Sequence, residues 1–134
     1  METEFLNHIE ILEDSTIFSQ RENEIVHTPY KTETLFYSYI KNGSRSGVQI
    51  MFTTMLKDNI VVGKLSENPL RQIQYLSVSA ITLATRYAIQ GGLDETTAFN
   101  FSDECILNID KMTEIEKILT FLYKKSIELT DMVA

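Results

Sequence analysis

Cysteine, histidine and long apolar runs are scarce in this chain, and each absence argues against a class of protein. The single cysteine, Cys105, excludes an internal disulfide framework and fits a reducing compartment, so the cytoplasm is the expected location. The two histidines, His8 and His27, have no third ligand at metal spacing, so no metal site or other cofactor is expected. No apolar run approaches the roughly 20 residues that cross a bilayer, so no membrane partner is expected.

Basic residues are also few, and they are scattered along the chain. There are 12 Lys and Arg against 19 Asp and Glu, which gives a formal net charge of −7. The only adjacent basic pair is Lys124 and Lys125. Proteins that bind DNA usually gather cations on one face, because neutralising phosphates releases counterions. Direct binding of nucleic acid by these 134 residues is therefore not expected.

The composition that remains is ordinary for one globular domain. Apolar residues make up 43% and charged residues 23% of 134 residues, enough to build a single hydrophobic core. Residues 1–27 contain only short apolar fragments, and they are expected to form a poorly defined arm or a small hairpin. The helical signals begin at residue 28, so the domain is expected to span residues 28–134.

Proline and glycine mark the expected ends of helices. A capping residue precedes proline at residues 28–29 and again at 68–69, a pattern typical of helix starts. Ser44 is a further capping candidate, while Gly43 and the pair at 91–92 are expected helix ends. Segments of these lengths predict an all-α bundle of about five to seven helices.

The longest of these segments, residues 69–90, is apolar on more than one face, so it is expected to be the central and most buried helix. Two short helices are expected next, at about 94–100 and 102–112. Thr113 and Glu116 then have the spacing of a capping box at the start of a final helix. That helix has no stop signal before Ala134, and it is expected to lead towards a further domain.

Three short strings in the chain together carry a resemblance to a known protein family. They are residues 68–72 (NPLRQ), 85–94 (TRYAIQGGLD) and 98–103 (AFNFSD). Upstream, the matching positions are His27, Pro29, Tyr30, Glu33, Ile40 and Gly43. Over residues 27–134 the chain resembles the signal-input half of AraC-type bacterial transcription regulators, in the branch whose input domain is helical.

The resemblance implies a domain that senses an effector, self-associates, or does both, and relays a signal to a C-terminal DNA-binding half. The tandem helix-turn-helix units of that half have no counterpart in these residues, so contact with DNA is expected only through such a further domain. The β-rich input domain of the sugar-sensing branch is not implied, because no series of alternating strands is present. Phe101 stands where the family usually has leucine.

Arg86 is the strongest candidate for a polar contact inside the domain. It lies within the longest expected helix, where an unpaired buried charge would be very costly. We expect a structural ion pair with Asp103, or failing that with Glu33; the alternative is that Arg86 binds an anionic effector. Arg71 and Tyr75 lie one turn apart and are expected to form a half-exposed edge, with contact to a ligand or partner domain as the alternative.

The final helix offers a surface for self-association. Its apolar residues exceed what one buried face needs, and regulators with tandem target sites usually act as dimers. A two-fold homodimer is therefore expected. The predicted interface residues are Ile118, Phe121, Leu122, Leu129 and Met132.

Two other functional classes remain open on the sequence. A stand-alone helical adaptor would bind another protein through an exposed helix face. A small enzyme is the less favoured alternative, because no nucleophile–base pair is visible, and no catalytic activity is expected. Cys105 is expected to be a small core residue rather than a nucleophile, because nothing basic is placed in sequence to lower its pKa.

Overall fold

A computed structural model of the chain describes residues 30–57 and 65–134. These residues form five α-helices and no strand, which confirms the predicted all-α bundle. The helices are α1 (Tyr30–Lys41), α2 (Arg45–Lys57), α3 (Pro69–Gln90), α4 (Glu95–Lys111) and α5 (Ile115–Val133). The expected arm at residues 1–27 lies outside the described residues.

Three helices begin where a short polar side chain caps them, as the sequence predicts. The Oγ atom of Ser44 accepts a hydrogen bond from the Gly47 amide at 3.3 Å at the start of α2. At the start of α3, the Oδ1 atom of Asn68 accepts from the amides of residues 70 and 71. Asp94 caps α4 through the Thr97 amide at 3.0 Å. Each bond satisfies an amide that the helix itself leaves without a partner.

Two predicted helix boundaries are wrong. A single helix, α4 (Glu95–Lys111), replaces the two short ones, because Ala98, Ser102 and Cys105 keep a helical spacing on one buried face through the expected break. The capping box at Thr113 is absent as well. Glu114 is the N-cap of α5 and makes no side-chain capping bond.

The helices pack around one core, and α3 and α5 each contact three other helices. The helix α3 lies against α1, α4 and α5, while α5 lies against α1, α2 and α3. The side chains that are fully excluded from solvent come from all five helices. They include Ile40, Val48, Ile81, Ala88, Ala98, Ile109, Ile118 and Leu129.

The prediction that residues 69–90 form the most buried helix is wrong, because a larger fraction of α5 is buried. Eight of the 19 residues of α5 are buried, against seven of the 22 residues of α3. The outer side of α3 carries Arg71, Ser79 and Arg86, which are exposed, so this helix is not surrounded on all sides. The helix α5 is the more deeply embedded of the two.

Two glycine turns enclose the C-terminal end of α5. Gly43, with φ of 67°, lies in the turn between α1 and α2, and a Cβ there would come 2.8 Å from the Cα atom of Ala134. At Gly91, the end of α3, a Cβ would come 2.0 Å from the Lys41 carbonyl oxygen and 3.0 Å from Val133 Cγ1. Only glycine fits these approaches, so the ends of α1, α3 and α5 meet closely at one pole of the bundle.

Candidate functional site between α2 and α5

The predicted buried ion pair of Arg86 is wrong. Arg86 is exposed, and its guanidinium lies 4.6 Å from the centre of the Phe99 ring on α4. The reason is helix geometry, because the buried side of α3 passes through Ala84 and Ala88. Residue 86 is two positions from each of them, a rotation of about 200° that points its side chain away from the core.

Neither proposed partner of Arg86 forms an ion pair with it. Asp103 is exposed on α4, and Glu33 is half-buried on α1. Within residues 30–57 and 65–134, the ion pairs are Arg45–Asp131, Lys117–Glu114 and Lys125–Glu128.

Arg71 and Tyr75 form the exposed edge that the sequence predicts. Arg71 is exposed, and Tyr75 is about half-exposed, at 47%. Arg71 and Arg86 are 15 residues apart on one helix, a separation of about 22 Å along the axis. The structure therefore does not bring the sequence candidates on α3 into a single site.

The predicted dimer interface is wrong for three of its five residues. Ile118, Leu122 and Leu129 are buried within the bundle, because the stripe they form is the side of α5 that closes the core. Phe121 is half-buried, and Met132 is 37% exposed. A partner could reach only these two without unfolding the bundle.

An open groove of about 540 Å³ lies between α2 and α5. This volume falls in the range of small-molecule sites, about 300–1,000 Å³. Two residues of α2 and six of α5 line it. They are Arg45, Gln49, Tyr123, Lys124, Ile127, Glu128, Asp131 and Met132.

An ion pair joins the two helices at one end of the groove. The Nη1 atom of Arg45 lies 3.2 Å from the Oδ2 atom of Asp131. Both side chains are substantially exposed, at 60% and 46%. An exposed pair of this kind contributes little to stability, so it can be exchanged for another partner at small cost.

The rest of the groove has apolar side chains at its base, and some of its polar side chains have no partner among the described residues. The Tyr123 ring is buried and packs edge-to-face against Phe52 at 5.4 Å, and Ile127 is buried beside it. Glu128 is engaged by Lys125 at 2.9 Å. By contrast, the Lys124 ammonium and the Gln49 side-chain amide form no ion pair or hydrogen bond within the described ranges.

Cys105 lies in the core, as predicted, away from this groove. Burial raises the pKa of its thiol to about 11, despite the opposing effect of Lys125. The pKa of Lys125 is also raised, first by its hydrogen bond to Glu128. A thiol in that state is protonated near neutral pH and is a poor nucleophile.

Of the residues that line the groove, Met132 alone belongs to the sites predicted from the sequence. A usable signal was present on both helices, because Arg45 and Gln49 are one turn apart, as are Lys124 and Glu128. What the sequence does not state is that these two polar rows face each other across α2 and α5. That juxtaposition depends on the packing of segments about 80 residues apart.

Within residues 30–57 and 65–134, no three His, Cys, Asp or Glu side chains come together as metal ligands. None of the helices in these ranges combines the length and the hydropathy that a transmembrane segment requires. Family models, the curated proteins and the solved structures give no match to this chain. The resemblance to AraC-type regulators therefore stays a prediction.

Proposed function

We propose that this chain is the signal-input domain of a bacterial transcription regulator of the AraC type. In this role it senses an effector in the groove between α2 and α5, and it relays the signal through the end of α5 to a DNA-binding half. The proposed role is binding rather than catalysis, and DNA is contacted only through that further half.

One observation supports the proposal above the others. The positions that resemble the family include Gly43 and Gly91, and these two glycines enclose the last residues of α5. The family-like positions thus coincide with the contacts that fix the end of the final helix. In the proposed regulator, that end is the point at which the input domain joins its output.

The groove provides a route from ligand to output. Asp131 belongs to the groove and lies two residues before Val133, whose Cγ1 atom would lie 3.0 Å from a Cβ at Gly91. Asp131 and Val133 thus share the last turn of α5, so a change in the Arg45–Asp131 contact acts on the same turn that packs against Gly91. A change in helix packing at such a junction passes to the next domain without a long chain of intermediates.

Self-association is the second element of the proposal. The buried stripe of α5 is not available to a partner, so a homodimer would use the half-buried Phe121 and the exposed Met132, or another face of the bundle. Sedimentation of the wild type and of Phe121→Glu tests this. A dimer that the substitution dissociates places α5 at the interface, whereas a wild-type monomer removes self-association from the proposal.

The relay is tested with a fusion protein. The full chain is joined to the tandem helix-turn-helix half of an AraC-type regulator with known DNA sites, and expression of a reporter gene is measured. We expect Gly91→Ala to change reporter output at equal protein abundance, because its Cβ would displace the Lys41 carbonyl, while Gln90→Ala, an exposed neighbour, leaves output unchanged.

An unrelated helical domain of similar length, fused in the same way, provides the reference. Equal output from that fusion and from the chain, with no effect of Gly91→Ala, would contradict the proposed role. Such a result would favour a helical adaptor that acts on other proteins.

A further inference from the structure

We propose that the groove between α2 and α5 binds a small organic anion, a carboxylate with an apolar body, whose head group displaces Asp131 from Arg45. This inference rests on the proposed function, because it names the chemical class of effector for the same site. It adds a step that the fold alone does not provide, namely the release of Asp131, in the last turn of α5, from Arg45 when the ligand binds.

The charges of the groove favour an anion. Both acids that line it are already engaged, Asp131 by Arg45 at 3.2 Å and Glu128 by Lys125 at 2.9 Å. Lys124 is the lining cation that has no ion pair within residues 30–57 and 65–134. The unsatisfied charge of the groove is therefore positive, although the chain as a whole is acidic.

The floor of the groove favours an apolar body. Tyr123, Ile127 and Met132 contribute carbon surface beneath the polar rim. Small-molecule sites commonly combine such a floor with a few polar groups that orient the ligand. The side-chain amide of Gln49 has no hydrogen bond in the described part of the chain, so it provides a donor and an acceptor for that purpose.

Arg45 connects ligand binding to the end of α5. A guanidinium binds a carboxylate through two parallel hydrogen bonds, and it does so equally well for a side chain or a ligand. The Arg45–Asp131 contact is a single 3.2 Å approach between exposed side chains. A ligand carboxylate held jointly by Arg45 and Lys124 would replace it and free Asp131.

The experiment compares three probes that share a phenylalkyl body and carry an anionic, a neutral or a cationic head group. Binding of 4-phenylbutyrate, the neutral 4-phenylbutyramide and the cationic 4-phenylbutylamine to the full chain is followed by titration of backbone amide signals. We expect the carboxylate to bind about tenfold more tightly than the amide, and the amine to bind most weakly. The signals that shift should belong to the groove.

Four variants assign the effect to named residues. Arg45→Gln and Lys124→Gln should each weaken carboxylate binding about tenfold. Lys117→Gln, a matched control outside the groove on the same helix, should leave it unchanged. Asp131→Asn should strengthen binding about threefold, because the competing carboxylate is gone. A misfolded variant cannot produce that gain.

Equal affinity for all three probes would overturn the anion assignment, as would the absence of binding by every probe. Weaker or unchanged binding by Asp131→Asn would overturn the exchange at Arg45. Loss of binding in Lys117→Gln would show a general effect of charge and overturn the assigned site. Reporter output from the fusion protein tests the relay separately, because it does not depend on these probes.

Discussion

The pair α3–α4 and the pair α2–α5 are both antiparallel neighbours in the bundle. Polar side chains join the first at both ends, and we call it the closed pair; a groove lies between the helices of the second, and we call it the open pair. In the first pair, Gln74 donates hydrogen bonds to the carbonyls of Ile109 and Met112 at one end. Arg86 covers Phe99 at the other end. Polar side chains thus seal both ends of this pair, and its sequence candidates act as structural contacts.

The second pair has an ion pair and an aromatic contact between its helices, and the groove lies beside them. Arg45 meets Asp131 at one end, and Phe52 meets Tyr123 further along. The helices α3 and α4 follow each other after a turn of four residues, whereas α2 and α5 come from distant parts of the chain. Polar residues between α3 and α4 therefore support the fold, whereas Gln49 and Lys124 in the groove make no side-chain contact of that kind among the described residues.

The largest expected effect concerns the core behind the open pair. Leu129 is fully buried, so Leu129→Ala should lower the free energy of unfolding by about 2–5 kcal/mol. Leu107→Ala, at a position 61% exposed on α4, should change it by less than about 0.5 kcal/mol. Urea unfolding measures both. Similar stability for the two variants would contradict the burial of Leu129.

The next effect concerns the pole where α5 ends. Gly91→Ala should lower the free energy of unfolding by about 1–3 kcal/mol, since its Cβ would lie 2.0 Å from the Lys41 carbonyl oxygen. Thermal unfolding followed by circular dichroism measures this, with Gln90→Ala as the neighbouring control. An unchanged melting temperature for Gly91→Ala would mean that the ends of α1 and α3 do not meet closely.

A matched pair of glutamines compares the two helix pairs directly. Gln74→Met removes the hydrogen bonds that close α3 against α4 and should cost about 1 kcal/mol. Gln49→Met lies in the groove, where its amide has no such bond among the described residues, and should cost almost nothing. Urea unfolding of both variants gives the comparison. If Gln49→Met is the more damaging change, the open pair is the one that needs its polar contacts for stability.

A smaller effect is expected at the surface of the closed pair. Arg86→Ala should cost about 0.5–1 kcal/mol, the contribution of an exposed cation over an aromatic ring. A buried ion pair would cost about 3–5 kcal/mol when broken. Arg71→Ala, at an exposed position of the same helix, is the control. If Arg86→Ala lowered the free energy of unfolding by about 3–5 kcal/mol, that result would support a buried ion pair with Asp103 instead.

A separate effect, confined to alkaline pH, concerns the thiol of Cys105. Its pKa rises from 9.0 to about 11 on folding, so the folded state keeps a proton that the unfolded state loses. The corresponding contribution to stability is present below pH 9 and is lost as the pH rises towards 11. Urea unfolding between pH 8 and 11 should show this fall in the wild type and not in Cys105→Ala. Rapid alkylation of the native thiol at pH 8 would contradict its burial.

Local signals in the sequence predict most of the fold. The caps at Ser44, Asn68 and Asp94 act within three residues of themselves, so the helix starts follow from short patterns. The break expected near residue 101 does not occur, because the buried face continues through Ser102 and packing overrides the local signal. Thr113 similarly matches a capping pattern that the structure does not use.

The candidate site could not be predicted in the same way. Arg86 is a candidate because it is a charged residue in a largely apolar helix. The direction of its side chain, however, depends on which face of α3 is buried. The groove depends on Arg45 meeting Asp131 across 86 positions of sequence, which no local pattern encodes. The sequence therefore names residues of the right chemistry without stating which of them face each other.

The central claim is that the groove is coupled to the end of α5, and the amide signal of Gly91 tests it most directly. Gly91 is distant in sequence from Arg45 and Asp131, but a Cβ there would lie 3.0 Å from Val133 Cγ1. Arg45→Gln, which breaks the ion pair across the groove, should shift the Gly91 amide signal. Lys117→Gln, which breaks the pair with Glu114 at the other end of α5, should leave it in place. Shifts confined to the immediate neighbours of Arg45 and Asp131, with Gly91 unmoved, would contradict the coupling.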